Sequence, residues 1–291
     1  MSLRSIDVQA LKRLRDRQAR AGAAPWLHAE VARRMAERLP VIRLQPETVI
    51  DWWAHAGASQ AVLAQAYPKA RVLRVETSAP AQESAPWWSV RHWRRGAPVI
   101  DASALPPNAG QLLWANMMLH AVPDPAALMQ HWRRALAVDG FLMFSTLGPD
   151  TLAVLRALYR DAGWGSAHAA FTDMHDLGDM LVAAGFADPV MDQERLTLTW
   201  ATPEALLQEL RTLGANADPA RFAGLRTPRW RSRLLDALRE RATSDGRIGL
   251  EFELVYGHAF NPPPRAKLAG ETRVPLEDLR SMARSGRRAG A

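Results

Sequence analysis

Apolar positions recur at helical spacing between residues 7 and 39: Val8, Leu11 and Leu14, then Val31, Met35 and Leu39, with arginines between them. Gly22 and Pro25 predict a break into two helices. The pattern then changes to short apolar runs. Thr48-Val49-Ile50-Asp51-Trp52-Trp53 predicts a strand ending near His55-Ala56-Gly57-Ala58. A helix over 59–67 is stopped by Pro68, and Arg71 to Glu76 predicts a second strand. Residues 77–97 are rich in Pro, Ser and Trp and give no clear element. Pro98 to Asp101 and Gln111 to Asn116 predict two further strands. Asp124 followed by Pro125 predicts the capped start of a helix over 125–138. Asp139-Gly140 then predicts a turn into the apolar strand Phe141 to Thr146. Helices are expected at 150–161, 174–184, 203–213 and 230–242. Pro189 to Met191 and Leu196 to Trp200 read as two closing strands, and Leu250 to Phe260 alternates as a last one.

Alternating strands and helices predict an α/β fold with a parallel sheet covered on both faces. Ligands bind such sheets beyond the carboxyl ends of the strands. That directs attention to Asp51 through Gly57, Glu76, Asp101, Asn116 and Thr146. A carboxylate at the end of a second strand suits both hydroxyls of a ribose, which is the use available to Glu76. Asp101, ending the third, is placed to meet an adenine amino group. The competing use of each is a solvated loop carboxylate.

Composition narrows the class. Hydrophobic residues make up 48% of the 291-residue chain and charged residues 23%, as in globular proteins. No apolar run reaches the roughly 18 residues of a membrane span, and the N-terminal segment lacks a secretory apolar core. There is no cysteine, so thiolate catalysis and disulfides are excluded. A cytoplasmic location is expected. The net charge of +7 is uneven: residues 1–46 hold ten Lys/Arg against four Asp/Glu, and residues 261–291 hold seven against three. Basic ends suit an acidic partner. However, 34 of the 37 basic residues are arginine, which equally reflects genomic composition. No zinc-finger spacing or aromatic–basic RNA motif points to nucleic acid.

Several stretches together resemble the malonyl-acyl-carrier-protein O-methyltransferases of biotin synthesis, within the class I S-adenosylmethionine-dependent methyltransferases. They are Arg43 to Pro46, Leu113 to His120, Pro123 to Pro125, Phe144 to Leu152, Asp173 to Asp179, Ala183 to Pro189 and Val255 to Ala259. The resemblance covers residues 5–260. It implies a Rossmann-like sheet with a helical cover in the second half, and S-adenosylmethionine as cofactor. It also implies methyl transfer to a malonyl thioester, and an acyl carrier protein as partner. By the same resemblance Glu76 holds the cofactor ribose, with Asp51 and Gly57 in the first motif. Asp101 and Ala102 lie beside the adenine, Asn116 near the methionine end, and His120 close to the reacting groups. No metal is implied. Asp173, Asp176 and Asp179 around His175 are expected to form the N-terminal face of a helix.

The chain departs from the family pattern in two places. The first motif, Asp-Leu-Gly-Cys-Gly-Pro-Gly in the family, reads Asp51-Trp52-Trp53-Ala54-His55-Ala56-Gly57, so Trp53 and His55 replace glycines. A tyrosine of the first helical segment is also missing after Asp16-Arg17. An alternative expectation is therefore a catalytically degenerate paralogue acting as a binding or assembly protein. The expected organisation is N-terminal helices over 1–46, a methyltransferase-like domain over 47–260 and a basic disordered tail over 261–291.

Overall fold

A computed structural model describes residues 6–77, 99–214 and 216–264. Trp87, Trp88, Trp93 and most of the basic tail lie outside the described residues. The two amphipathic helices form where the periodicity puts them. α1 (Val8–Ala21) is capped by Asp7, whose carboxylate accepts from two first-turn N–H groups, and it ends at Gly22 in the left-handed conformation. α2 (Trp26–Ala36) starts after Pro25 and buries Leu27, His28, Val31, Ala32 and Met35. Then follow β1 (Thr48–Trp52), α3 (Gln60–Ala66), β2 (Arg71–Glu76), β3 (Val99–Asp101) and β4 (Gly110–Ala115). Next come α4 (Pro125–Ala135), β5 (Leu136–Leu147), α5 (Ala153–Asp161), α6 (Met174–Ala184) and β6 (Ala187–Trp200). α7 (Pro203–Leu213), α8 (Pro228–Arg239) and β7 (Ile248–Phe260) complete the order.

The strands form one seven-stranded sheet in the order β3-β2-β1-β4-β5-β7-β6. All pairs from β3 to β5 are parallel, while β7 runs antiparallel to both β5 and β6. The expected parallel sheet is thus corrected to a mixed one with a single reversed strand. The order reverses between β1 and β4, which opens a crevice at their carboxyl ends.

Alternate residues of the buried strands feed two cores. Leu113 and Ala115 of β4 pack with Leu11 and Leu14 of α1 and with Trp132 of α4. Leu112 and Trp114 pack on the other face with Val31 and Met35 of α2 and with Leu234 of α8. Each fully buried Leu contributes about 1.5–3 kcal/mol.

Two element readings are corrected. Asp139-Gly140 is not a turn between helix and strand: α4 stops at Ala135 and β5 begins at Leu136. Asp139 sits inside β5 at φ 63°, and a Cβ on Gly140 would meet the Gln111 carbonyl at 2.8 Å. The two short closing strands are one long strand, β6. It lies at the sheet edge, where Pro189 removes no obligatory ladder bond. Among the described residues no helix is long and apolar enough to cross a membrane.

Candidate active site

The loop after β1 occupies the crevice. Trp53 follows β1 at φ 61°, the left-handed region that glycine enters freely and a side chain enters at about 1–2 kcal/mol. The loop therefore keeps a glycine-type backbone at Trp53 without the glycine. Its polar groups are pinned from several sides. Trp53 N–H donates to Val75 O at 2.8 Å, and Gly57 N–H donates to Trp53 O at 2.9 Å. His55 N–H donates to Glu76 Oε1 at 2.8 Å. Ala56 O accepts from His28 Nδ1 at 2.7 Å, and Gly57 O accepts from Asn116 Nδ2 at 2.6 Å. Gly57 itself is required by close approach, because a Cβ there would lie 2.9 Å from Ser59 Oγ.

The two replacing side chains both face α1. The Trp53 indole donates to Thr77 Oγ1 at 3.1 Å, just past Glu76, and the Arg15 guanidinium lies 4.6 Å over its ring. His55 Nε2 lies 3.3 Å from Gln18 O. Where the family carries a tyrosine on this segment, α1 here brings Arg15 to the loop.

The expected site residues fall at the strand ends. Glu76 ends β2, and burial pushes its carboxyl above the usual carboxylate range. Asp101 ends β3 and accepts from Ser103 N–H at 2.9 Å, capping the turn that begins with Ala102. Asp51 is buried under the loop, and burial pushes its carboxyl up to about 7 against an opposing hydrogen bond from Ser59. Asn116 follows β4 as expected, but its amide is engaged within the protein. Nδ2 also donates to His28 O at 2.8 Å, and Oδ1 accepts from Ser145 Oγ at 2.6 Å. It is a tie between β4, β5, α2 and the loop.

His120 does not end a strand. It lies in a short 3-10 turn, Leu119–Ala121, with Nδ1 3.5 Å from Thr146 Oγ1 at the end of β5. Its ring stands edge-on to Phe171 at 5.8 Å. It borders a cavity of about 830 Å³ between the sheet and the helical cover. Leu14, Leu27, Leu155, Leu207, Trp230 and Phe252 give the cavity apolar walls, and Arg17, Arg211 and Arg231 also line it. Asp51, Gly57, Glu76 and Asp101 do not line it, so the strand-end carboxylates lie outside this cavity.

Other polar residues of the matching stretches and of the helical cover are engaged within the fold. Asp173 caps α6 by accepting from His175 N–H at 2.8 Å, while Asp176 and Asp179 are exposed. Tyr256 donates to Glu194 at 2.5 Å under the Arg38 guanidinium, and His258 packs against Phe260. Arg226 donates to Trp164 O and stacks on Trp230, so it braces the cover.

One residue the sequence reading passed over is central here. His28 is 3% exposed, lines the cavity, and its main chain and side chain both hold the crevice. Burial drops its imidazole to about 4, so it is neutral near pH 7. The available signal was a polar residue at i, i+3, i+4 and i+7 register with Val31, Ala32 and Met35 on an apolar face.

A class I methyltransferase cofactor presents a ribose, an adenine and an amino-acid end. Among the described residues, the buried atoms near the loop without a hydrogen-bonding partner include Asp51 Oδ1 and Arg15 Nε. An acceptor and a cationic donor left unmet suit the ammonium and carboxylate of an amino-acid group. Glu76 suits the ribose hydroxyls. The residues present fit this kind of cofactor.

Comparison with known proteins agrees. Residues 28–188 match the model of a methyltransferase domain. A malonyl-acyl-carrier-protein O-methyltransferase of Gallionella capsiferriformans is 38% identical over 91% of this chain and 94% of its own. One from Halorhodospira halophila is 36% identical over 95% of this chain and 96% of its own. A putative methyltransferase structure from Bacillus halodurans superposes with a TM-score of 0.51 at 16% identity. It covers 79% of this chain and 99% of its own, and shares the fold. With the fold, the methyltransferase-domain match and these relatives in agreement, the chain belongs to the malonyl-acyl-carrier-protein O-methyltransferase family of class I methyltransferases.

Proposed function

We propose that this protein transfers the methyl group of S-adenosylmethionine to the free carboxylate of a malonyl thioester on acyl carrier protein. The observation that carries this reading is the pairing of a strand-end acidic site with an apolar cavity, in a chain whose relatives bear that name. Glu76 holds the ribose. Asp101 and the turn at Ala102 face the adenine. Asp51 and Arg15 receive the amino-acid end. Bound there, the cofactor supplies an electrophilic methyl on sulfur.

The acceptor is already nucleophilic when ionised, so the protein needs no strong general base. Its residues act by alignment and by excluding water. The apolar walls from α1, α2 and α8 receive the thioester arm. His120, steadied by Thr146 and Phe171, orients the malonyl carboxylate at the border of the cavity. The basic N-terminal helices and the exposed Arg229 and Arg233 of α8 receive the acidic carrier.

The test is methyl transfer in vitro. Malonyl-carrier, acetyl-carrier and apo-carrier are incubated with labelled S-adenosylmethionine. Base-labile label on the malonyl form alone, reduced at least tenfold by His120→Ala, is expected. Equal labelling of the acetyl form, which has no free carboxylate, would exclude the reading.

A further inference from the structure

Loops that approach a cofactor usually keep their shape through several glycines, and this one retains only Gly57. Trp53, Ala54, His55 and Ala56 form most of it. Its shape must be imposed from outside, and His28 is the group that imposes most. The Nδ1–H of His28 donates to Ala56 O at 2.7 Å, while the main-chain carbonyl of His28 accepts from Asn116 Nδ2 at 2.8 Å. That same Nδ2 donates to Gly57 O at 2.6 Å. One residue at the start of α2 thereby reaches two successive carbonyls of the loop, one directly and one through Asn116. The ring is buried, and its residue lines the cavity wall along with Leu27, Met117 and Leu147, so it has little freedom to leave Ala56. A carbonyl acceptor fixes the proton on Nδ1.

We propose that His28 is a positioning residue for the cofactor loop: it ties residues 53–57 and Asn116 to α2, so that the loop takes its ligand-binding shape only while α2 is docked. The anchor of α2 is itself visible. Arg34 of α2 pairs with Glu194 at 3.3 Å and Arg38, two residues past the helix, with Asp192 at 2.6 Å, both partners on β6, while the Arg38 guanidinium covers Tyr256 of β7. Docking of α2 on the far edge of the sheet is thereby coupled to the shape of the crevice. The proposal rests on the cofactor reading above, and its test separates the two.

The test compares His28→Leu, His28→Asn and His28→Gln in the full chain. Asn places an amide N–H where Nδ1–H stands, whereas Gln places one near Nε2. Amide hydrogen exchange of segments 53–58 and 114–118 is measured, with S-adenosylmethionine affinity by calorimetry beside it. Leu and Gln should speed exchange in both segments at least tenfold and weaken cofactor binding about tenfold. Asn should restore both to within about threefold of wild type. If the Leu variant does not fold, the Asn–Gln contrast carries the test. Wild-type exchange in folded Leu or Gln variants, or failure of Asn to rescue, overturns the proposal. If no variant, wild type included, binds S-adenosylmethionine, the cofactor reading fails while exchange still decides the positioning role.

Discussion

At the scale of single residues the crevice contains two buried titratable groups of opposite sense. His28 is depressed to about 4. The unfolded chain binds its proton more readily, so stability from its neutral form is present above pH 6.5 and is lost as pH falls toward 4, by about 3 kcal/mol in total. Asp51 is raised to about 7. Its protonated form stabilises the fold below about pH 4, and that contribution is lost as pH rises through 7. Urea unfolding of Asp51→Asn and His28→Asn at pH 4.5 and 8.5 checks both signs. Asp51→Asn should gain on wild type as pH rises, by up to about 4 kcal/mol, and His28→Asn should gain as pH falls. Parallel pH profiles for variant and wild type would refute the assignment. Trp53 is the third case. Trp53→Gly removes a buried indole but relieves the left-handed backbone, so a net loss of about 2–4 kcal/mol is expected. Combined with His55→Gly it should tighten S-adenosylmethionine binding, because the indole lies beside Thr77, next to Glu76, the residue proposed to hold the ribose. Calorimetry on the folded double variant checks this, and weaker binding would mean that the indole supports the ligand.

At the scale of elements, β6 and β7 carry the anchor of α2. Tyr256 donates to Glu194, and burial with that carboxylate raises its phenol well above the usual range. Tyr256→Phe removes this bond and leaves Glu194 to Arg34 alone. A loss of about 1–2 kcal/mol is expected, read as a fall in Tm of several degrees. An unchanged Tm would place the anchor elsewhere. The same elements show what the sequence discloses. α1 and α2 were legible because their apolar faces repeat at helical spacing and Gly22 and Pro25 mark the break. β1, β2 and β4 were legible as apolar runs, and Glu76 and Asp101 followed as strand ends. β6 was read as two pieces because the polar residues 192–195 interrupt its apolar pattern, which an edge strand tolerates. The Asp139-Gly140 pair reads as a turn, yet tertiary pairing with β4 and Asn261 holds it within β5. His28 escaped notice because its role rests on contacts with Ala56 and Asn116, 28 and 88 residues away.

At the scale of the whole molecule, the charge distribution bears on the proposed carrier. The basic balance of residues 1–46 and the exposed Arg229 and Arg233 suit an acidic carrier, where complementarity raises the encounter rate more than the affinity. Carrier binding should weaken between 50 and 300 mM salt, since exposed charges are screened beyond ~8 Å at physiological ionic strength. Arg229→Glu with Arg233→Glu should slow association measured by stopped flow. Equal binding of heparin, with no effect of the reversals, would leave these arginines as a solvated face. The central claim is narrower: the crevice between β1 and β4 holds S-adenosylmethionine despite Trp53 and His55. Calorimetric titration of the full chain tests it most directly. The account predicts one site with a Kd in the micromolar range, about −8 kcal/mol, weakened at least tenfold by Glu76→Ala. Absence of binding heat at all temperatures, in a chain shown to be folded, would contradict it.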